Sequence, residues 1–82
     1  SYEKLGETHT SLGNLNKALE FYENYFELTK TLYEANPNNV DFKKGLAIAY
    51  EKLGSTHASL GNLNESLKLY ETEVKIFNEL YD

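Results

Sequence analysis

His9 and His57 are the side chains best suited to chemistry in this chain, since an imidazole can hold a metal ion or carry a proton near neutral pH. Their setting argues for another use. Each lies on an apolar stripe of helical spacing, and a zinc site would need further ligands at matching spacing, of which the sequence shows none. A packed imidazole with one hydrogen bond is the expectation. Carboxylates come next, because Glu3, Glu7, Glu20, Glu23, Glu27, Glu51, Glu71 and Glu73 could supply an acid–base pair. Most of them fall off the apolar stripes, and Glu71 precedes Lys75 by four residues, an order that supports a solvated helix face. The chain has no cysteine, which removes thiol nucleophiles, thiolate metal sites and disulfides but leaves the compartment open. The segment Leu-Gly-Asn-Leu, at 12–15 and 60–63, has too few glycines for a phosphate cradle and no lysine after it. Asn64-Glu65-Ser66 matches the glycosylation triplet but begins a helix. No catalytic residue, cofactor or metal is expected.

Composition narrows the partners. The 82 residues, 40% hydrophobic and 13% aromatic, suffice for one modest folded domain. Thirteen acidic residues oppose eight lysines and no arginine, for a net charge of −5, so there is no basic stripe to track phosphates and nucleic acid is not an expected partner. No apolar run approaches the roughly 20 residues of a membrane span, so no membrane partner is expected either. The chain lacks methionine and begins within a repeat, and it reads as a piece of a longer array.

That repeat is the organising feature. Shifting the sequence by 48 sets residues 1–34 against 49–82, and 18 of those 34 positions are identical. The identities run through Tyr2 to Gly6, Thr8, His9, Ser11 to Asn16, Leu19, Tyr22, Glu23, Leu32 and Tyr33. A period of this order marks stacked units, each of which buries its apolar face against a neighbour. Phe42, Leu46, Tyr50, Leu53, His57 and Leu60 follow steps of four and three, as do Leu63, Leu67, Tyr70, Val74, Phe77 and Tyr81. Both sets predict one face of a helix. Gly61-Asn62 between them predicts a left-handed stop, with Asn62 or Asn64 as the next cap. Pro37, in Asn-Pro-Asn-Asn, breaks the chain between the repeats, and Asn38 or Asn39 can cap the helix that follows. Four helices are predicted, at roughly 1–12, 15–35, 40–60 and 63–81.

These residues resemble the tetratricopeptide repeat. Its pattern of an aromatic, Leu-Gly, an aromatic, and a small residue followed by an aromatic four later reads Tyr2, Leu5-Gly6, His9, Ala18, Tyr22 in one unit. It reads Tyr50, Leu53-Gly54, His57, Ser66, Tyr70 in the other. The period of 48 exceeds the family's usual 34, Tyr25 and Glu73 stand where a later small residue is usual, and Pro37 comes seven residues late. Seven extra residues in each helix add about two turns, which keeps the stripes aligned and gives helices of about 20 residues and 30 Å. The resemblance implies an all-α fold, an α-solenoid fragment of stacked antiparallel helix-turn-helix repeats with four helices. It forms one repeat domain over 1–82, with unit 1 at about 1–36, shortened at its start, and unit 2 at about 37–82.

The resemblance also implies a function, a non-catalytic protein–protein interaction module whose first helices present a concave groove to a peptide or partner protein. Carried over by position, the peptide-binding candidates are Glu3, Glu7, Thr10 and Ser11 in the first unit and Lys44, Ile48, Glu51, Lys52, Ser55 and Ser59 in the second. Some members clamp a C-terminal carboxylate with lysine, asparagine and arginine donors. Glu3, Glu7, Glu51 and Ser55 occupy those positions here, so an acidic C-terminal peptide is not the expected ligand, and neutral or basic segments are favoured, tempered by Lys4, Lys44 and Lys52.

A stack also needs two apolar stripes on each second helix. Leu15, Leu19, Tyr22 and Phe26 form one in the first unit, with Phe21, Tyr25, Leu28 and Leu32 forming the other. The last helix keeps a second stripe, Leu69, Ile76 and Leu80, which is expected to be uncovered. The alternative function is therefore a structural spacer or self-assembling repeat, a homo-oligomer joined through its uncapped ends, end to end or by exchanging helices.

Overall fold

A computed structural model of the chain describes residues 2–81; Ser1 and Asp82, the ends of the repeat alignment, lie outside the described residues. Four helices follow in order, α1 (Tyr2–Ser11), α2 (Leu15–Ala35), α3 (Val40–Ser59) and α4 (Leu63–Tyr81), and consecutive helices pack on one another. The described residues contain no strand. The predicted boundaries hold within a residue, since Leu12 and Leu60 still donate to the carbonyls of Thr8 and Thr56 (3.1 and 3.0 Å) as α1 and α3 end.

Both hairpin turns are built alike. Gly13 (φ 80°) and Gly61 (φ 87°) take the left-handed conformation, the amides of Asn14 and Asn62 donate back to the carbonyls of His9 and His57 (both 2.8 Å), and the helix ends are thereby satisfied. At the break between repeats, Asn39 accepts from the Phe42 amide (3.0 Å) and caps α3 as expected. Asn14, by contrast, makes no side-chain cap, and the Asn62 side chain turns to His57 instead.

The core is built in two layers. Ala18, Tyr22 and Leu53 form one, with Leu19, Phe26 and Leu69 packed on them; Leu46, Ala47 and Ile76 form the other, with Phe26, Tyr33, Tyr50, Phe77 and Leu80. Glycine sets the hairpin spacing, because a Cβ on Gly6 would lie 2.7 Å from Tyr22 Cδ1, closer than real side chains approach.

One expectation is overturned. Ile76 is buried, and Leu69 and Leu80 pack against the core, so this stripe of α4 is covered by the chain's own helices. Leu63, Leu67, Val74 and Tyr81 are the residues left exposed. The two stripes share the Tyr70–Phe77 edge of α4, and the small buried Ser66, whose hydroxyl donates to the Gly54 carbonyl (2.8 Å), turns the Leu69–Ile76–Leu80 side toward α3. Among the described residues, no helix is long and apolar enough to cross a membrane.

Candidate functional site

The first helices of the two hairpins, α1 and α3, flank a cleft of about 400 Å³. It is lined by Glu7, Thr10, Ser11, Tyr22, Lys52, Ser55, Thr56 and Ser59. Six of the ten groove candidates therefore meet there, namely Glu7, Thr10, Ser11, Lys52, Ser55 and Ser59. Glu3, Ile48 and Glu51 are not part of its lining, and Lys44 instead holds its ammonium 5.8 Å from the Tyr81 ring centre. Tyr22, which the sequence places on an apolar stripe, and the buried Thr56, to which the sequence assigns no role, join the lining. Gly6 is the signal for the first, because a missing side chain on α1 lets the α2 tyrosine reach the cleft.

Charge in the cleft is largely spent internally. Lys52 Nζ donates to Glu7 Oε1 at 3.2 Å, a bond between α3 and α1 that ties the two repeats together. Burial draws the Lys52 ammonium down, but the hydrogen bond and charge of Glu7, with Tyr22 and Glu3 adding, outweigh it and leave the group above its ordinary 10.5. Beside it, burial and then Glu3 raise the Tyr25 phenol above its ordinary value, against the opposing pull of Lys52. The hydroxyls of Thr10 and Thr56 donate to the carbonyls of Gly6 and Lys52 (both 2.8 Å). Ser11, Ser55 and Ser59 are exposed, so the cleft offers a row of small hydroxyl side chains around one neutralised ion pair.

The residues that suggested chemistry are placed elsewhere. The imidazole of His9 stacks on Phe21 (5.4 Å between centres), and its Nδ1 accepts from Asn14 Nδ2 at 3.5 Å. His57 Nδ1 accepts from Asn62 Nδ2 at 3.2 Å. Both histidines thus brace the glycine turns from the ends of their helices. Among the described residues, no three His, Cys, Asp or Glu side chains come together in a way that could hold a metal ion. Glu73 is raised above its ordinary 4.5, first by burial and then by the charge and hydrogen bond of Glu51. In the glycosylation triplet, Ser66 is buried and bonded to Gly54, inside a regular helix.

Two matches to family models carry the same description, tetratricopeptide repeat, one over residues 1–32 and the other over 46–77. Between them lie the end of α2, the Asn-Pro-Asn-Asn break and the first six residues of α3, part of the stretch by which this repeat exceeds the usual length. No curated protein and no solved structure shows a significant match. With both hairpins matched and packed as a helical solenoid fragment, the chain belongs to the tetratricopeptide repeat family, a non-catalytic type of module that generally mediates protein–protein interaction.

Proposed function

We propose that this protein binds an extended segment of a partner protein in the α1/α3 cleft, and that it does so without catalysis. The observation that carries this reading is the convergence of Ser11, Ser55 and Ser59, from both repeats, around the Lys52–Glu7 pair. Small exposed hydroxyls leave room for a peptide backbone and can exchange hydrogen bonds with it. The ion pair cancels most local charge, so the preferred ligand is a neutral, hydrogen-bonding segment.

The test is selection of peptides from a random library on the chain, followed by titration of the selected peptides against the parent and a Ser55→Arg/Ser59→Arg variant. The two arginines occupy the cleft from an exposed face of α3 without entering the core. Affinity is expected to fall at least about tenfold, equivalent to 1.4 kcal/mol, with the helical circular dichroism unchanged. Equal binding by parent and variant would remove the cleft from consideration.

A further inference from the structure

Positions 48 apart share a sequence pattern yet differ in what covers them. On α2, Leu15, Leu19, Phe26 and Tyr33 are half-buried, and the last three pack into the clusters built with α3. Their equivalents on α4 are Leu63, Leu67, Val74 and Tyr81, which stand 68%, 58%, 55% and 66% exposed. The first helices show the converse. Leu53 on α3 is 6% exposed in the cluster it shares with α2, whereas its equivalent on α1, Leu5, is 44% exposed beside Tyr2. The α2/α3 contact is one closed interface, and each of its halves recurs uncovered at opposite ends of the molecule.

Both open halves have shape. Leu67, Tyr70 and Val74 line a groove of about 590 Å³ on α4, together with Glu71, Lys75 and Asn78. Tyr2, Leu5, Tyr25 and Leu28 line an apolar hollow of about 410 Å³ at the other end. We infer that copies of this chain stack head to tail, α1 of one copy docking on α4 of another as α3 docks on α2 within the chain. A second copy is the occupant because a single chain carries both halves of a contact that it already makes once. The repeat fixes the register. Tyr2 comes beside Val74 of the other copy as Tyr50 meets Phe26, 5.1 Å between ring centres. Leu5 comes against Ser66 and Tyr70 as Leu53 joins Ala18 and Tyr22. The two patches differ, so the interface is heterologous, and repeating the stacking rotation of the α2/α3 contact from copy to copy extends the assembly as an open string.

Sedimentation equilibrium over a hundredfold range of concentration tests the stacking, with two exposed-face variants that keep the core intact. Leu67→Glu/Val74→Glu blocks the α4 face and Leu5→Glu blocks the α1 face. The parent mass is expected to grow with concentration, each variant alone to stay monomeric, and an equimolar mixture of the two to form a dimer and stop there. A parent of constant monomer mass would overturn the inference and leave the α4 face to a helix of another protein or a longer chain. Dimers of the Leu5→Glu variant alone would also overturn it, in favour of a symmetric α4–α4 contact. The register has its own readout, since the chain has no cysteine to interfere. Mixed Tyr2→Cys and Val74→Cys chains are expected to oxidise to a disulfide dimer holding one of each. A predominance of Val74→Cys homodimers would exclude the stacked register.

Discussion

The two hairpins contain the same pair, a glycine on the first helix under a tyrosine ring of the second, and the pair is packed differently in each. Tyr22, over Gly6, is 3% exposed, with Leu53 of α3 in its cluster. Tyr70, over Gly54, is only half-buried and lines an open groove. The approach tracks the cover, since a Cβ on the glycine would lie 2.7 Å from Tyr22 Cδ1 but 3.1 Å from Tyr70 Cδ1. A ring held from behind by the next repeat sits deeper on its own glycine than a ring held from one side. Each hairpin is thus half of a core, and the neighbouring unit decides how tight it becomes.

Truncating equivalent leucines breaks this comparison most sharply. Leu53→Ala removes a buried side chain shared by both hairpins and is expected to cost about 2–5 kcal/mol, enough to unfold much of so small a protein. Leu5→Ala, at the uncovered equivalent position, is expected to cost less than about 1 kcal/mol. Urea unfolding followed by circular dichroism, at a concentration low enough to keep the chain monomeric, reads both. Equal losses would show that the two positions are covered alike.

Replacing the glycines sharpens it further, because here the sign is expected to change. An alanine in a helix interior gains about 1 kcal/mol over glycine where space permits. At Gly54 the Tyr70 ring can swing into the open groove, so Gly54→Ala is expected to be neutral or stabilising. At Gly6 the buried Tyr22 ring cannot retreat, and overpacking is expected to outweigh that gain, for a net loss of about 1–2 kcal/mol. The same unfolding midpoints decide between these outcomes.

The sequence carries most of the fold and six of the eight residues that line the cleft. The 48-residue self-match, the glycine turns and Asn39 before α3 mark four helices within a residue of their observed ends, because local chemistry determines each stop. The faces of α4 are a different matter. Both of its apolar stripes have helical period, and periodicity alone does not say which meets the partner helix. The small buried positions Ala18 and Ser66 hold that information, since small residues mark where two helices come closest. Six groove candidates fall in the cleft because they lie on the last two turns of α1 and α3, where the helices face each other as equivalents. Lys44, on the first half of α3, lies outside the cleft and sets its ammonium over the Tyr81 ring of α4.

The smallest expected effect comes from the pair that changes between the repeats. Glu51 and Glu73 are the equivalents of Glu3 and Tyr25, so a carboxylate in the second hairpin stands where the first has a phenol. A phenol near a carboxylate stays neutral at pH 7, whereas Glu73 must ionise beside Glu51, and burial and that charge raise it above 4.5. The folded chain therefore holds the Glu73 proton more tightly than the unfolded chain does. Between 4.5 and the raised folded value the native state binds more protons, so this site loses stability as pH rises through that window. Below the unfolded value the carboxyl is neutral in both states and costs nothing. Glu73→Gln is then expected to stabilise the chain slightly at pH 7, by less than about 0.5 kcal/mol because solvent screens the pair, and to have almost no effect at pH 3.5. Melting curves of parent and variant at the two pH values check this. A gain at pH 3.5 equal to that at pH 7 would mean that the amide packs better than the carboxyl and that repulsion from Glu51 is not the cause.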